Sequence, residues 1–244
     1  MTGAGERGGA EVPPLDDHRP GATTRRLVAY RAALAEEIAR AGRSVADVHL
    51  IAVTKYHSAA LAAELVAAGQ LDLGENTLQG LRGKLAEPGL EAVRWHFLGR
   101  LQRNKATAVA RVATCIHSID RPELVDHLDR VELDRPVDAF VQVSLDGDPT
   151  RGGVAVAGLE PLAERVAASR HLRLRGIMAV APVGADADAA FARVRELAEV
   201  VRGVDPAATA ISAGMSSDWR AAVRHGATHL RIGTAITGVP ETHR

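Results

Sequence analysis

Lysine is nearly absent from this chain. Among its 30 basic residues the only lysines are Lys55, Lys84 and Lys105, so arginine serves almost everywhere a surface cation is wanted. Cysteine is rarer still. Cys115 stands alone, which excludes an intrachain disulfide framework and a thiolate zinc cage. Its neighbours Thr114 and Ile116 give it a strand-like setting, and we expect it to pack in the core. Aromatic residues make up 3%, too few for base-stacking platforms, and a net charge of zero offers nucleic acid no electrostatic footprint. No apolar run approaches the length that spans a bilayer, and the N-terminus lacks the apolar core of a signal peptide. These absences lead us to expect a soluble, cytoplasmic protein with no nucleic-acid or membrane partner.

What is present is a repeat. Residues 1–22 are rich in glycine, proline and charge and are expected to form a disordered or loosely attached tail. Gly3-Ala4-Gly5-Glu6-Arg7-Gly8 matches a dinucleotide loop by letters, but no strand pattern precedes it and no helix pattern follows, so we reject that reading. Thr23 or Thr24 can cap a helix whose apolar stripe is Leu27, Tyr30, Leu34, Ile38 and Ala41, with Tyr30 in the core and Gly42 as the stop. Short strand patterns then alternate with helix patterns. The strands are expected at 48–53, 71–74, 94–98, 114–119, 138–144, 172–180, 208–212 and 228–232. Helices are expected near 58–68, 76–86, 102–110, 121–133, 159–168, 186–202, 216–225 and 234–237. With no linker after residue 23, this predicts one domain over residues 23–244. Its class is α/β, a single (β/α)8 TIM-type barrel with an extra N-terminal helix. An open doubly wound sheet is the alternative.

A barrel gathers its functional residues just after the strands. The first strand, Leu50-Ile51-Ala52-Val53, runs into Thr54 and Lys55. A lysine amine can lose its proton when desolvated and attack a carbonyl, which arginine cannot do. Lys55 is therefore a candidate for amine chemistry; a surface cation or phosphate clamp is the plainer reading. After the seventh strand comes Gly214-Met215-Ser216-Ser217-Asp218, and after the eighth Gly233-Thr234. Barrel enzymes commonly bind phosphate at these two loops. The glycines allow close backbone approach, and Ser216, Ser217 and Thr234 bring hydroxyls to places where helices begin. Helix capping explains the same residues without a ligand. Lys55 and a phosphate cradle on one face fit pyridoxal 5′-phosphate, whose aldehyde would meet the lysine. Arg231 at the end of the eighth strand could face the pyridine nitrogen and keep it unprotonated; a structural ion pair is the other use for it.

These pieces resemble the pyridoxal-phosphate homeostasis protein family, relatives of the barrel domain of alanine racemase. The resemblance spans about 24–238. It rests on Ala52-Val53-Thr54-Lys55, Gly74-Glu75-Asn76, the run from Trp95-His96-Phe97-Leu98-Gly99 to Gln102-Arg103-Asn104-Lys105, Gly176-Ile177-Met178-Ala179, Gly214-Met215-Ser216-Ser217-Asp218 and Arg231-Ile232-Gly233-Thr234-Ala235-Ile236. It implies a barrel that holds the cofactor as a lysine Schiff base and serves its intracellular supply, without established catalysis. It also implies that Lys55 holds the aldehyde, that Ser216, Gly233 and Thr234 hold the phosphate, and that Arg231 meets the ring nitrogen. Asn76 would lie beside the cofactor, and His96 and Met215 would line the pocket. The chain departs from the family at Thr77, where many members have tyrosine or arginine, and in the loop containing Arg151-Gly152-Gly153.

The alternative is a pyridoxal-phosphate enzyme acting on amino acids. Racemisation needs a base on each face of the substrate carbon. The racemases take the second one from a tyrosine on a β-rich domain that we do not expect here. Tyr30 lies in the first helix, and Tyr56, next to Lys55, is expected to point away. We therefore expect a monomeric holder of the cofactor whose contacts with cofactor-requiring apo-enzymes are transient. A barrel binding some other phosphorylated metabolite is the third reading. His57 and His127 are expected to be a helix start and a solvated side chain, and His117 to lie in the core or face the pocket. No His/Asp/Glu group shows metal spacing. The segment 100–105 reads as a basic patch or a solvated helix start.

Overall fold

Eight parallel strands close on themselves in sequence order: His49–Val53 (β1), Asp72–Glu75 (β2), Arg94–Phe97 (β3), Cys115–Ile119 (β4), Val137–Gln142 (β5), Leu172–Met178 (β6), Ala210–Ser212 (β7) and His229–Ile232 (β8). The computed structural model describes residues 12–148 and 150–240. Residues 1–11, with the GxGxxG letters and half of the expected tail, lie outside them. The helices are Ala22–Arg40 (α1), Ala59–Ala67 (α2), Leu78–Leu85 (α3), Arg103–Ala110 (α4), Pro122–Leu128 (α5), Leu159–Ala167 (α6), Ala187–Val204 (α7), Trp219–Arg224 (α8) and Thr234–Thr237 (α9). The fold is thus the expected barrel, not the open sheet.

Successive strand residues face opposite sides of a sheet, so each strand contributes to two cores. Leu50, Ala52, Leu73, Trp95, Phe97, Ile116, Val141, Ile177, Ile211, Leu230 and Ile232 pack outward against the helices in the main apolar core. The inward residues form a smaller apolar cluster of Cys115, Phe140, Met178 and Ala210. The rest of the barrel interior includes His96, His117, Ser212, His229 and Arg231, with the exposed His49 stacked on His229 at its end. His117 stacks on Phe140 with ring centroids 4.5 Å apart, and His229 meets Phe140 edge-on at 5.0 Å. Cys115 is buried as expected, and burial pushes its thiol pKa well up, so it behaves as a packed apolar group.

Several elements differ from the sequence reading in informative ways. Neither Thr23 nor Thr24 caps α1. The helix starts at Ala22 after Gly21, whose φ of 80° turns the chain into it. Thr24 instead donates its N–H and its hydroxyl to Glu64 Oε1 at 2.8 and 3.1 Å, so a carboxylate on α2 satisfies the open helix end in trans. β5 stops at Gln142 because Val143 pairs with Val154 across the following loop. α8 starts at Trp219 rather than near 216, because Asp218 Oδ1 accepts the Met215 N–H at 2.6 Å and folds 215–218 into a turn. Ser216 and Ser217 therefore sit in that turn and not in the first turn of a helix. Tyr30 is buried on the α1 stripe, its ring 5.2 Å from Trp219. Residues 12–21 are pinned to the body: Pro14 O and Asp17 O accept from the buried Arg26 guanidinium at 2.9 and 3.0 Å, and Leu15 O accepts from Val239 N at 2.9 Å.

Candidate cofactor site

β8 pairs with both β1 and β7, so the ends of these three strands are neighbours on one mouth of the barrel. Lys55 stands two residues past β1, exposed at that mouth. Its platform is buried. Thr54 is fully buried, donates its N–H to Gly74 O at 2.9 Å and gives its hydroxyl to Glu75 Oε1 at 2.9 Å. The same carboxylate oxygen accepts Lys84 Nζ at 2.5 Å, with the Lys84 side chain 5% exposed. The sequence reading singled out Lys84 as a rare lysine but assigned it no role. Its role is to neutralise Glu75 below the strand end that presents Lys55. A compact ammonium suits a single carboxylate oxygen better than the wide guanidinium fork.

Tyr56 does not turn away. Its φ of 67° makes it the one described non-glycine residue in the left-handed region. That backbone swings the side chain over the mouth, where its hydroxyl lies 3.5 Å from Asn76 Nδ2 and its ring centroid 5.7 Å from Lys55 Nζ. Lys55, Tyr56 and Asn76 thus form one side of the site. Next to Asn76 a groove is lined by Arg82, Arg100, Gln102 and Lys105, while Arg103 opens α4 outside it.

The loops after β7 and β8, where the sequence leads us to expect a phosphate site, occupy the other side. Gly214 has φ 93°, and a Cβ there would stand 2.7 Å from Ala222 Cβ and 2.9 Å from Leu230 Cδ2, so packing alone requires glycine. Gly233 is different. A Cβ there would meet nothing closer than Val53 at 3.7 Å, so no protein contact demands a glycine. Neither α8 nor α9 has a side-chain cap, and the hydroxyls of Ser216, Ser217 and Thr234 make no hydrogen bond to any described residue. The capping explanation therefore fails for all three, and unengaged hydroxyls around an open glycine are what an anion such as a phosphate needs. Met215 is 37% exposed on the same loop.

Arg231 rises from β8 into the barrel interior and is almost wholly buried among groups that hold it. Its Nη1 donates to Ser212 Oγ at 2.6 Å and its Nη2 to Ala179 O at 2.9 Å. Burial lowers its pKa to about 10 while the Asp218 charge opposes the shift, so it is cationic at neutral pH. No ion-pair partner touches it among the described residues, which removes the structural ion pair as its explanation. A buried cation that can only donate matches an unprotonated ring nitrogen as acceptor.

His96 lies inside the barrel. Its Nε2 is 3.0 Å from Asp72 Oδ1, and its Nδ1 is 2.9 Å from His117 Nε2. His117 Nδ1 is in turn 2.8 Å from Ser212 Oγ. His96 thus reaches the site through His117, Ser212 and Arg231. Asp72 was missed in the sequence, where an aspartate opening a strand looks like a solvated edge residue. His96, Cys115 and His117 also bring ligand-type atoms within 4.8 Å of one another. The two facing ring nitrogens are spent on each other and the thiol is held protonated by burial, so we assign no metal to them. His57 lies just beyond Tyr56, with burial pulling its pKa down to about 4 and Lys84 among the charges that add to this. His127 is half-buried on Thr107 Oγ1 at 3.0 Å, not solvated.

Comparison with known proteins gives the family. The family model for the alanine racemase N-terminal domain matches residues 30–241. The chain belongs to that family. Within it, the pyridoxal phosphate homeostasis protein of Mycobacterium tuberculosis is 38% identical over 236 residues, covering 88% of this chain and 92% of that protein. The protein of the same name from Pseudomonas aeruginosa is 40% identical over 213 residues, covering 85% and 91%. PipY of Synechococcus elongatus, solved with pyridoxal phosphate bound, superposes with a TM-score of 0.78 at 36% identity, covering 88% of this chain and 100% of that one. Alanine racemase from Corynebacterium glutamicum shares the fold, with a TM-score of 0.68 at 16% identity over 61% of its length. No described helix is long and apolar enough to cross a membrane.

Proposed function

We propose that this protein binds pyridoxal 5′-phosphate as a Schiff base on Lys55 and takes part in the intracellular supply of that cofactor, holding it and giving it up without turning over a substrate. The observation that carries this reading is the convergence on one mouth of Lys55, the unengaged hydroxyls of Ser216 and Thr234 around Gly233, and the donor Arg231 beneath them. The likeness to relatives named as homeostasis proteins, and to PipY with its bound pyridoxal phosphate, supports it. The cofactor supplies an aldehyde for the amine and a phosphate for the cradle. Ser216, Gly233 and Thr234 bind the phosphate, Asn76 and Tyr56 flank Lys55, and Met215 edges the pocket. In this reading the protein works as a monomer in the cytoplasm, and its partners are apo-enzymes that require the cofactor. Arg231, as a fixed donor, leaves the ring nitrogen unprotonated and weakens the ring as an electron sink, which suits storage better than catalysis.

The test is spectroscopic. Protein loaded with pyridoxal phosphate should show the absorbance of a lysine-linked aldehyde, and borohydride reduction should label Lys55. Lys55→Ala should lose both. A labelled residue other than Lys55, or none, would overturn the proposal. Tyr56 beside Lys55 motivates a second reading, an enzyme acting on amino acids with these two groups on one mouth. Rapid, saturable racemisation or deamination by the pure protein, lost in Tyr56→Phe, would establish it in place of the first.

A further inference from the structure

Barrel interiors are ordinarily filled by apolar layers. This one carries an unbroken polar path from the mouth that holds Lys55 toward the opposite end, where Asp72 opens β2 beside Arg94. Its four contacts measure 2.6 Å from Arg231 to Ser212, 2.8 Å from Ser212 to His117, 2.9 Å from His117 to His96 and 3.0 Å from His96 to Asp72. Ser212 and His117 are fully buried and His96 nearly so.

The direction of every proton along it follows from the two ends. Arginine can only donate, so Ser212 Oγ accepts from Arg231 and has its own hydrogen to place. The only other partner of that oxygen among the described residues is His117 Nδ1, which must accept. His117 is neutral, because its complete burial pushes its pKa well down. A neutral ring that accepts at Nδ1 carries its hydrogen on Nε2 and donates to His96 Nδ1. His96, accepting at Nδ1, carries its hydrogen on Nε2 and donates it to Asp72. Asp72 is ionised: its burial would raise the carboxyl pKa, but the hydrogen bonds from His96 and from Arg94, at 2.7 and 2.5 Å, hold it below the usual carboxylate range.

We propose that Asp72 and His96, on the far side of the barrel from Lys55, are positioning residues for Arg231. The chain Arg231→Ser212→His117→His96→Asp72 fixes both tautomers and holds the guanidinium in the one orientation that donates to the cofactor ring. The effect on bound cofactor rests on the reading of Arg231 given under Proposed function; the proton order itself does not.

Two measurements test it separately. In apo-protein labelled with ¹⁵N-histidine at pH 7.5, NMR should find His96 and His117 both neutral and both protonated at Nε2. An Nδ1–H tautomer or a cationic ring at either position overturns the proton order. Asp72→Asn should change the His96 tautomer, shift the absorbance of loaded protein, and speed cofactor release by roughly three- to tenfold, the equivalent of about one hydrogen bond. Asp72→Glu should restore both, and Arg94→Gln, which keeps the carboxylate, should change them less. Altered tautomers with an unchanged spectrum and release rate would overturn the positioning role. If Lys55→Ala keeps the cofactor spectrum, the reading of the site fails while the NMR result for the apo-protein still stands.

Discussion

Lys84 Nζ lies 2.5 Å from Glu75 Oε1 beneath the strand end that carries Lys55. Both side chains are almost wholly out of solvent, and Thr54 adds its hydroxyl to the same oxygen. Removing one member of a buried pair strands the other charge. Lys84→Met should therefore cost about 3–5 kcal/mol in urea unfolding. The double variant Lys84→Met/Glu75→Gln should recover most of that, because no charge is left unpaired. A single variant as stable as the parent would show that water reaches Glu75.

Tyr56 holds a left-handed backbone with a side chain that bridges Lys55 and Asn76. That conformation costs a non-glycine residue about 1 kcal/mol or more. Tyr56→Gly should keep or raise the unfolding free energy yet release bound cofactor faster than the parent. Tyr56→Ala, which keeps the strain and loses the ring, should be worse on both counts. Stopped-flow transfer to an apo-enzyme together with urea titration separates the two effects.

The hydroxyls of Ser216 and Thr234 have no described partner, so deleting them leaves nothing unsatisfied. Ser216→Ala and Thr234→Val should each change stability by no more than about 0.5 kcal/mol. Each should weaken binding of pyridoxal phosphate by roughly three- to tenfold, as expected for one lost hydrogen bond. Pyridoxal without its phosphate should bind parent and variants alike. Equal losses for both ligands would place these residues elsewhere in the pocket.

Three histidines are held neutral in the fold: His57, whose pKa falls to about 4, and His117 and His229, which fall well below their ordinary value; burial is the leading cause in each. The unfolded chain protonates these rings first as pH drops below about 6.5. It then binds more protons than the folded chain, so stability rises with pH across this range. Unfolding free energy should be flat above about pH 7.5 and decline from about 6.5 toward 4, each ring contributing up to about 1.4 kcal/mol per pH unit. His57→Asn should flatten part of the decline. A profile unchanged in that variant would show His57 to be freely protonated in the fold.

Strand and helix alternation was legible in the sequence because each strand is a short apolar run closed by turn residues, and each helix carries its own stripe. That Lys55, Ser216, Arg231 and Thr234 gather toward one mouth was legible for a related reason: in a parallel barrel the C-terminal ends of all strands fall together, so chain position alone places a residue there. The parity of strand positions also says that His96, His117, Ser212 and Arg231 point inward. What parity leaves open is which inward groups meet. That depends on the closure and stagger of the barrel, which set Gly74 beside His96 on adjacent strands and bring Asp72, one inward step earlier on β2, within reach of the same ring. Thr24 met Glu64 instead of capping its own helix, and Lys84 met Glu75 instead of solvent, for the same reason. The sequence by itself determined the barrel, the mouth and the residues that reach it. Only the tertiary structure decided the partners of its buried charges, because an ion or hydrogen-bonding group taken out of water must be satisfied by whatever the packing brings beside it.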